Sequence, residues 1–419
     1  MNIKEQFVIP AGYKKWSLGL LAAGALTLIL GAIFLMGKQS TDGRFWGGLL
    51  YNAVFFTLIT NASMFFICAT TLAMGGWQMA FRRLPEAIST AVKIFAPITF
   101  VIMLCIIFMG KTEIYHWLDK DVAANDHLIK GKSGFLNKGF FLVWTILTFL
   151  GWIVLGMKMR SLSRESDDTT YDVESGKKYI FKNTVYGSLF IVWFALTVAS
   201  TAPWLWLMSI DAHWYSTMFS WYTFASSFVA GMSLIAIYFI FLKGKGYLEY
   251  ATDEHLHDVG KFMFAFSVFW TYLWFSQYML IWYANIPEET VYFKQRVQGP
   301  YRGIFFLNLI INFIAPLLIL MRRASKRNYM VITVMACVII FGHWLDFFQM
   351  AQPGIVNNSA HIAHEHGGEA MKPALGWFEF GLAAGFVGLL MWQVGNALTK
   401  APMLAKNHPF LKESLIHHT

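Results

Sequence analysis

Ten apolar runs, each long enough to cross about 30 Å of hydrocarbon as a helix, dominate this 419-residue chain. In lipid every backbone N–H and C=O must be satisfied within the protein, so continuous apolar runs of this length commit the chain to spanning helices. The approximate spans are Ser17–Met36, Gly48–Leu72, Ile88–Met109, Leu136–Met157, Tyr179–Ser200, Trp214–Leu242, Lys261–Ile286, Gly303–Met321, Tyr329–Met350 and Pro373–Leu398. The expectation is an all-α, polytopic protein, a single integral membrane domain over residues 1–419. Ten helices allow two four-helix bundles, segments two to five (about 48–200) and six to nine (about 214–350), with the first and tenth segments peripheral.

Charge agrees with this class. Only 14% of residues are charged, against about 25% in a typical soluble domain, and 17 Trp, 17 Tyr and 39 Phe suit aromatic belts. The net charge of +9 need not mean nucleic acid, because fixing orientation in a bilayer also takes Lys and Arg. Twenty-one of the 33 fall in the termini and the even-numbered loops, eleven in the odd-numbered loops, and Lys93 stands near the start of the third segment. Both termini are therefore expected in the cytoplasm, with Lys93 close enough to that side to snorkel. The first run lacks a small-residue cleavage site and reads as a retained helix. Pro97 and Pro316 predict kinks in the third and eighth segments. The fourth loop, "RSLSRESDDTTYDVESGKKYIFK", reads as a solvated connector or a docking surface for another subunit.

Polar groups gather in one half of segments six to nine. "FGHWLDFFQM" (Phe341–Met350) puts His343 and Asp346 three apart on one helix face, roughly 10 and 6 Å from the expected outer end. "SIDAHWYSTMFSWYTFASS" brings Asp211, His213 and Tyr222 to the same side, with Ser226 and Ser227 deeper. Gln277, Tyr278, Asn308 and Asn312 lie on segments seven and eight, Glu379 opens the tenth, and Glu288 and Glu289 read as loop residues. An isolated ionisable group at the centre of a spanning helix costs about 2.5–3.5 kcal/mol, so an outward-opening polar pocket or half-channel is expected. The inner halves of these segments are nearly devoid of such groups. Segments two to five offer Thr57, Thr60, Asn61 and Ser63, without a buried carboxylate.

Redox cofactors find no obvious seat. Cys68, Cys105 and Cys337 sit in three different runs, too few for a four-Cys cluster, and no CxxC or CxxCH occurs. Only His213 and His343 lie near spanning segments, both on one side, which excludes a two-haem wire. "HIAHEHGG" (His361–Gly368) has metal-like density but reads as a surface loop, and no phosphate-cradling Gly motif appears. No metal and no cofactor bound by this chain are expected.

Four stretches together carry a resemblance: "SIDAHWYSTMFSWYTFAS", "FWTYLWFSQYMLIWYANIPEET", "FGHWLDFFQM" and the tail "NHPFLKESLIHH". They resemble the ActF-type membrane subunits of bacterial alternative complex III, a quinol:cytochrome c oxidoreductase, within the wider NrfD/polysulfide-reductase membrane-subunit family. The resemblance implies a multi-pass protein of the bacterial inner membrane with no haem of its own. It implies as partners a related ActC-type membrane subunit, an iron–sulfur/molybdopterin-like subunit and c-type haem subunits, with a terminal oxidase as a further acceptor. Haem c and iron–sulfur clusters belong to those partners, and menaquinol is the implied reductant. Asp211, His213, Gln277, Tyr278, Glu288, His343 and Asp346 carry the motifs.

Two roles stay open for the polar residues. Asp211, His213, Tyr222, His343, Asp346 and Glu379 are the candidates for proton transfer, and Gln277, Tyr278, Asn308 and Asn312 for a quinone pocket. Asp, His and Glu can relay protons, whereas nothing in the chain points to an electron carrier. A secondary transporter with an outward-opening pocket and a purely structural membrane scaffold are the rival classes. Membrane lipid is an expected contact and nucleic acid is not.

Overall fold

The computed structural model describes residues 6–418, and side chains throughout that range except that of His366. Among these residues the chain is a multi-pass, all-helical membrane protein. The long helices are α1 (Ala11–Phe34), α2 (Asp42–Leu72), α3 (Arg83–Phe108), α4 (Lys138–Asp168), α5 (Val173–Ile210) and α6 (Met218–Gly244). After them come α7 (Asp253–Ala284), the short α8 (Pro287–Val297), α9 (Arg302–Leu320), α10 (Tyr329–His366), α11 (Trp377–Leu398) and the one-turn α12 (Leu411–Leu415). Nine of the described helices are long and apolar enough to span. The remaining expected segment is α7, a 32-residue helix whose Tyr, Trp, Ser and Gln residues lower its hydropathy. Its exposed Tyr272, Phe275 and Trp282 still present an aromatic face outward.

Burial sorts the helices. α2 and α6 are apolar all round and buried along nearly their whole length, so they form the centre. α2 packs against α3, α5, α6 and α10, α4 packs on α3 and α5, and α6 packs on α7 and α10. α9 closes onto α7 and α10. α1 leaves most of its apolar surface exposed and pairs with α11. That pairing needs glycine: a Cβ on Gly24 would collide with the backbone of Gly385, and one on Gly388 would come within 2.6 Å of the Leu21 amide nitrogen. Small residues of this kind let backbones approach closely where lipid offers no hydrophobic drive to association. Ser17 adds a 2.9 Å hydrogen bond to the Gly388 carbonyl.

Both termini lie at one end, where Gln6 pairs with Pro402; this is the terminal end. The C-terminal tail is built into it. Glu413 accepts from the Gly76 amide at 3.0 Å, and Ser414 accepts from the Ala80 amide at 2.9 Å and from or to His255 at 3.1 Å. His417 bonds Asp258 at 2.7 Å.

Proline shapes several helices. A π-helical turn at Ile310–Ile314 precedes Pro316, the expected kink in α9, and a second at Thr197–Thr201 precedes Pro203 in α5. α10 does not stop at Met350 as hydropathy suggests. It runs on through Pro353 to His366, so "HIAHEH" is helix rather than loop. The stretch after Ile286, also expected as loop, is the helix α8. His255 and His257, likewise expected in a loop, are buried in the first turns of α7.

Candidate functional site

Asp346 lies mid-way along α10, 1% exposed and sealed by three helices. Tyr222 of α6 donates to its Oδ1. Ser226, one turn further along α6, hydrogen-bonds Oδ2 at 2.9 Å, and the Trp270 indole of α7 donates to the same oxygen at 3.0 Å. Ser226 also meets His343 Nδ1 at 2.9 Å, while His343 Nδ1 lies 3.9 Å from Asp346 itself. The i, i+3 spacing puts both groups on the face of α10 that meets α6, and the serine joins them. A consistent proton arrangement has His343 Nδ1–H donating to Ser226 and Ser226 donating to Asp346. His343 Nε2 is buried and has no hydrogen-bond partner among the described residues. The Trp270 ring stands edge-on to the imidazole, 5.4 Å between centroids.

The pocket does not open outward as expected; α8 closes it. Arg296, 2% exposed, reaches from α8 to the α10 backbone. Its Nε donates to the Gln349 carbonyl at 2.9 Å and its Nη2 to the Met350 carbonyl at 3.2 Å. The reason is Pro353. It has no N–H to give the carbonyl four residues back, so the Gln349 oxygen is free for an outside donor. Arg296 Nη2 also meets Asp211 Oδ2 at 3.3 Å, and Nη1 bonds the Tyr292 carbonyl at 2.8 Å. The guanidinium lies 3.4 Å over the Tyr292 ring, which in turn stacks on Trp214 at 3.9 Å. Burial pushes the Asp211 carboxyl above the usual carboxylate range, against the pull of Arg296. Under this lid lies a cavity of about 10 Å³, touched by Tyr222, Gln277, Arg296 and Gln349; Asp346 lies behind Tyr222, which donates to it. That is about enough space for one water.

Of the proton-transfer candidates the structure thus joins Tyr222, His343 and Asp346 directly; Asp211 pairs with Arg296, which faces Tyr222 across the small cavity. Two stand apart. His213 is half exposed and bonds Asp126 at 2.6 Å in a surface pair, reaching the cluster only as a charge near Asp211. Beside it, His116 is held below the usual imidazole range by burial and by His213 itself. Glu379 is buried in a bidentate pair with Arg44, at 2.6 and 2.7 Å, and caps the start of α11 through the Gly376 amide. That geometry ties α11 to α2.

The quinone-pocket candidates also divide. Gln277 is buried and lines the small cavity, its amide nitrogen unpartnered among the described residues. Tyr278 packs in an aromatic group with Trp274, Phe293 and Phe305. Asn308 and Asn312 are buried on α9, with Asn312 in the π-helical turn and close against Gly342, next to His343. Gln277 and Tyr278 line different cavities.

At the terminal end a buried carboxylate does exist in the first group of helices, against the sequence expectation. Glu86 is 2% exposed and pairs with Arg82 at 3.0 Å and Arg83 at 3.3 Å. Arg83 also pairs with Asp167. Among the described residues no three His, Cys, Asp or Glu side chains come together as a metal site. The His366 side chain in the "HIAHEHGG" stretch lies outside the description.

Sequence reasoning does not reach Trp270 or, above all, Arg296, which reads there only as a loop charge. Pro287 at the first helical position, Glu288 and Glu289 in the first turn, and Lys294 and Arg296 in the last turn form a recognisable helix signature. No family model matches this chain, and no curated protein sequence matches it.

Proposed function

We propose that this chain is a membrane subunit of a respiratory quinol:electron-acceptor oxidoreductase of the alternative complex III type, without a redox centre of its own. In this proposal the Asp211–Arg296–Tyr222–Asp346–Ser226–His343 series is a proton half-channel entered from the end opposite the termini. The carrying observation is the buried Asp346, hydrogen-bonded by neutral donors from α6 and α7 and joined to His343 through Ser226. Redox events in partner subunits would shift the charge near this cluster, and His343 and Asp346 would exchange a proton with the water-sized cavity beneath Arg296. Menaquinol is the proposed reductant, oxidised in a related membrane subunit. The c-type haem and iron–sulfur clusters would sit in neighbouring chains. The inner-membrane location follows from the resemblance, and the cytoplasmic side for the termini from the Lys and Arg distribution.

A structural role is the second reading, favoured by the fact that Asp346 fastens three helices through three hydrogen bonds. One experiment separates them. The complex is purified from native membranes through a tag on this chain, its co-purifying subunits and haem c spectrum are recorded, and turnover and proton release are compared with Asp346→Asn. The proton role expects intact assembly with proton release lost or cut several-fold. A scaffold role expects less assembled complex with normal release per electron. Purification of a lone, haem-free chain would sink the oxidoreductase assignment and favour a transporter.

A further inference from the structure

At the terminal end, α3, α4, α11 and the segment after α11 enclose a pocket of about 1000 Å³. Its charge is one-sided. Lys93 of α3, Arg160 and Arg164 on successive turns of α4, and Lys400 beyond α11 all line it. Three carboxylates line it too, but two are engaged by cations outside the pocket: Asp167 by Arg83, and Glu165 by Lys182 at 3.1 Å. Asp168 is the third. Arg160 spends its hydrogen bonds on backbone carbonyls, those of Glu86 and Ala397, both at 3.0 Å, although its charge also feels the Glu86 carboxylate. Lys93, Arg164 and Lys400 are exposed and make no ion pair within 4 Å among the described residues.

The surface leading into the pocket is apolar. Val143, Leu147, Leu150, Val154 and Met157 are exposed along one stripe of α4 that ends at Arg160 and Arg164. From Val143 to Met157 the stripe is roughly 21 Å long at 1.5 Å per residue. A greasy stripe ending in a cluster of cations is complementary to a two-part ligand, acyl chain below and anion above. Basic pockets between spanning helices bind anionic headgroups by the same physics.

We propose that this pocket binds the phosphate headgroup of an anionic phospholipid, with an acyl chain lying along the exposed stripe of α4. A free phosphate would use the cations and leave the stripe unexplained. The site is independent of the proton proposal, at the other end of the molecule and on other residues.

Native mass spectrometry of the detergent-purified full chain tests it, with phosphatidylglycerol and phosphatidylcholine of the same acyl composition as probes. The expected result is at least about fivefold tighter binding of phosphatidylglycerol. The Lys93→Gln/Arg164→Gln/Lys400→Gln variant should lose that preference. Lys178→Gln, which removes an exposed lysine paired with Glu174 at 2.9 Å and not in the pocket, should keep it. Equal binding of the two lipids, or an unchanged preference in the triple variant, overturns the proposal. So does displacement of phosphatidylglycerol by millimolar inorganic phosphate, which would make the pocket a soluble-anion site. If the triple variant fails to fold, a salt titration of the unmodified protein decides: the preference must shrink as screening rises, and a salt-independent preference refutes the charge-based site.

Discussion

Arg296→Met is the sharpest test of the lid over Asp346. Methionine fills much of the arginine stem's space and removes the guanidinium. Four hydrogen bonds go with it: two to α10 carbonyls, one to Tyr292 and one to Asp211. The Asp211 carboxylate, 9% exposed, is left without its counter-charge, and the Gln349 carbonyl is left without either Arg296 or the amide that Pro353 lacks. Removing one partner of a buried ion pair costs about 3–5 kcal/mol. An orphaned buried carbonyl adds about 1–3 kcal/mol, and neighbouring losses do not sum fully. The expected destabilisation is about 4 kcal/mol. Asp211→Asn in the same chain removes the stranded charge, so the double variant should recover about 2 kcal/mol relative to Arg296→Met alone.

The sign with pH follows from Asp211, whose carboxyl burial already pushes up in the native protein. A carboxyl with a raised folded value binds its proton more tightly folded than unfolded. Stability from that proton is present at low pH and lost as pH rises through the folded value. Without Arg296 that value rises further. The deficit of Arg296→Met should therefore shrink as pH falls from 8 towards 5. Unfolding titrations in lipid–detergent mixed micelles, followed by Trp fluorescence at several pH values, measure both effects. A loss under about 1 kcal/mol, or strict additivity of Arg296→Met with Asp211→Asn, refutes the latch.

Two further outcomes are expected. His408 of the docked tail is held down to about 3 by burial and by Arg82 and Arg83; a depressed imidazole loses stability as pH falls from the unfolded value near 6.5 towards 3, by about 1.4 kcal/mol per unit, so acid should release the tail to proteolysis and His408→Phe should flatten that dependence. Gly385→Leu should drive α1 away from α11, because even a Cβ on the facing Gly24 meets the Gly385 backbone; the variant should unfold at lower denaturant concentration in mixed micelles, whereas Val387→Leu, at an exposed α11 position, should not.

Hydropathy made most of this fold legible in advance, because a bilayer leaves little choice. It failed where tertiary contacts replace apolarity. After Met350 the sequence reads Ala-Gln-Pro-Gly, which looks like the end of a helix. The helix continues because Arg296 supplies the donor that Pro353 withholds. α8 was lost for a related reason: at 11 residues it is too short for a spanning signal, and only one face, with Tyr292 and Phe293, is buried. The His343–Asp346 pair was legible because two ionisable groups at helical spacing in an apolar run demand partners. Which partners could not be read from spacing, since Tyr222, Ser226 and Trp270 arrive from two other helices. Glu379 and His213 were grouped with the pair by depth alone, and depth does not determine which way a side chain faces.

Two of the buried carboxylates, Glu86 and Asp346, show why one end of the molecule is the better place to move a proton. Glu86 is fixed between two guanidiniums at 3.0 and 3.3 Å, so a proton delivered there would leave buried Arg82 without its anion and Arg83 with Asp167 alone. Asp346 is held by a phenol, a hydroxyl and an indole, and among the described residues the side chain within 4 Å that can become a cation is His343. A proton passing from the Nδ1–H of a protonated His343 through Ser226 to Asp346 leaves the pair's total charge unchanged, and neither step strands a third group. The same residue types therefore have opposite consequences at the two ends. The Arg82–Arg83–Glu86 cluster anchors the helices, while the Asp346–Ser226–His343 series can change state without unfolding the site that contains it.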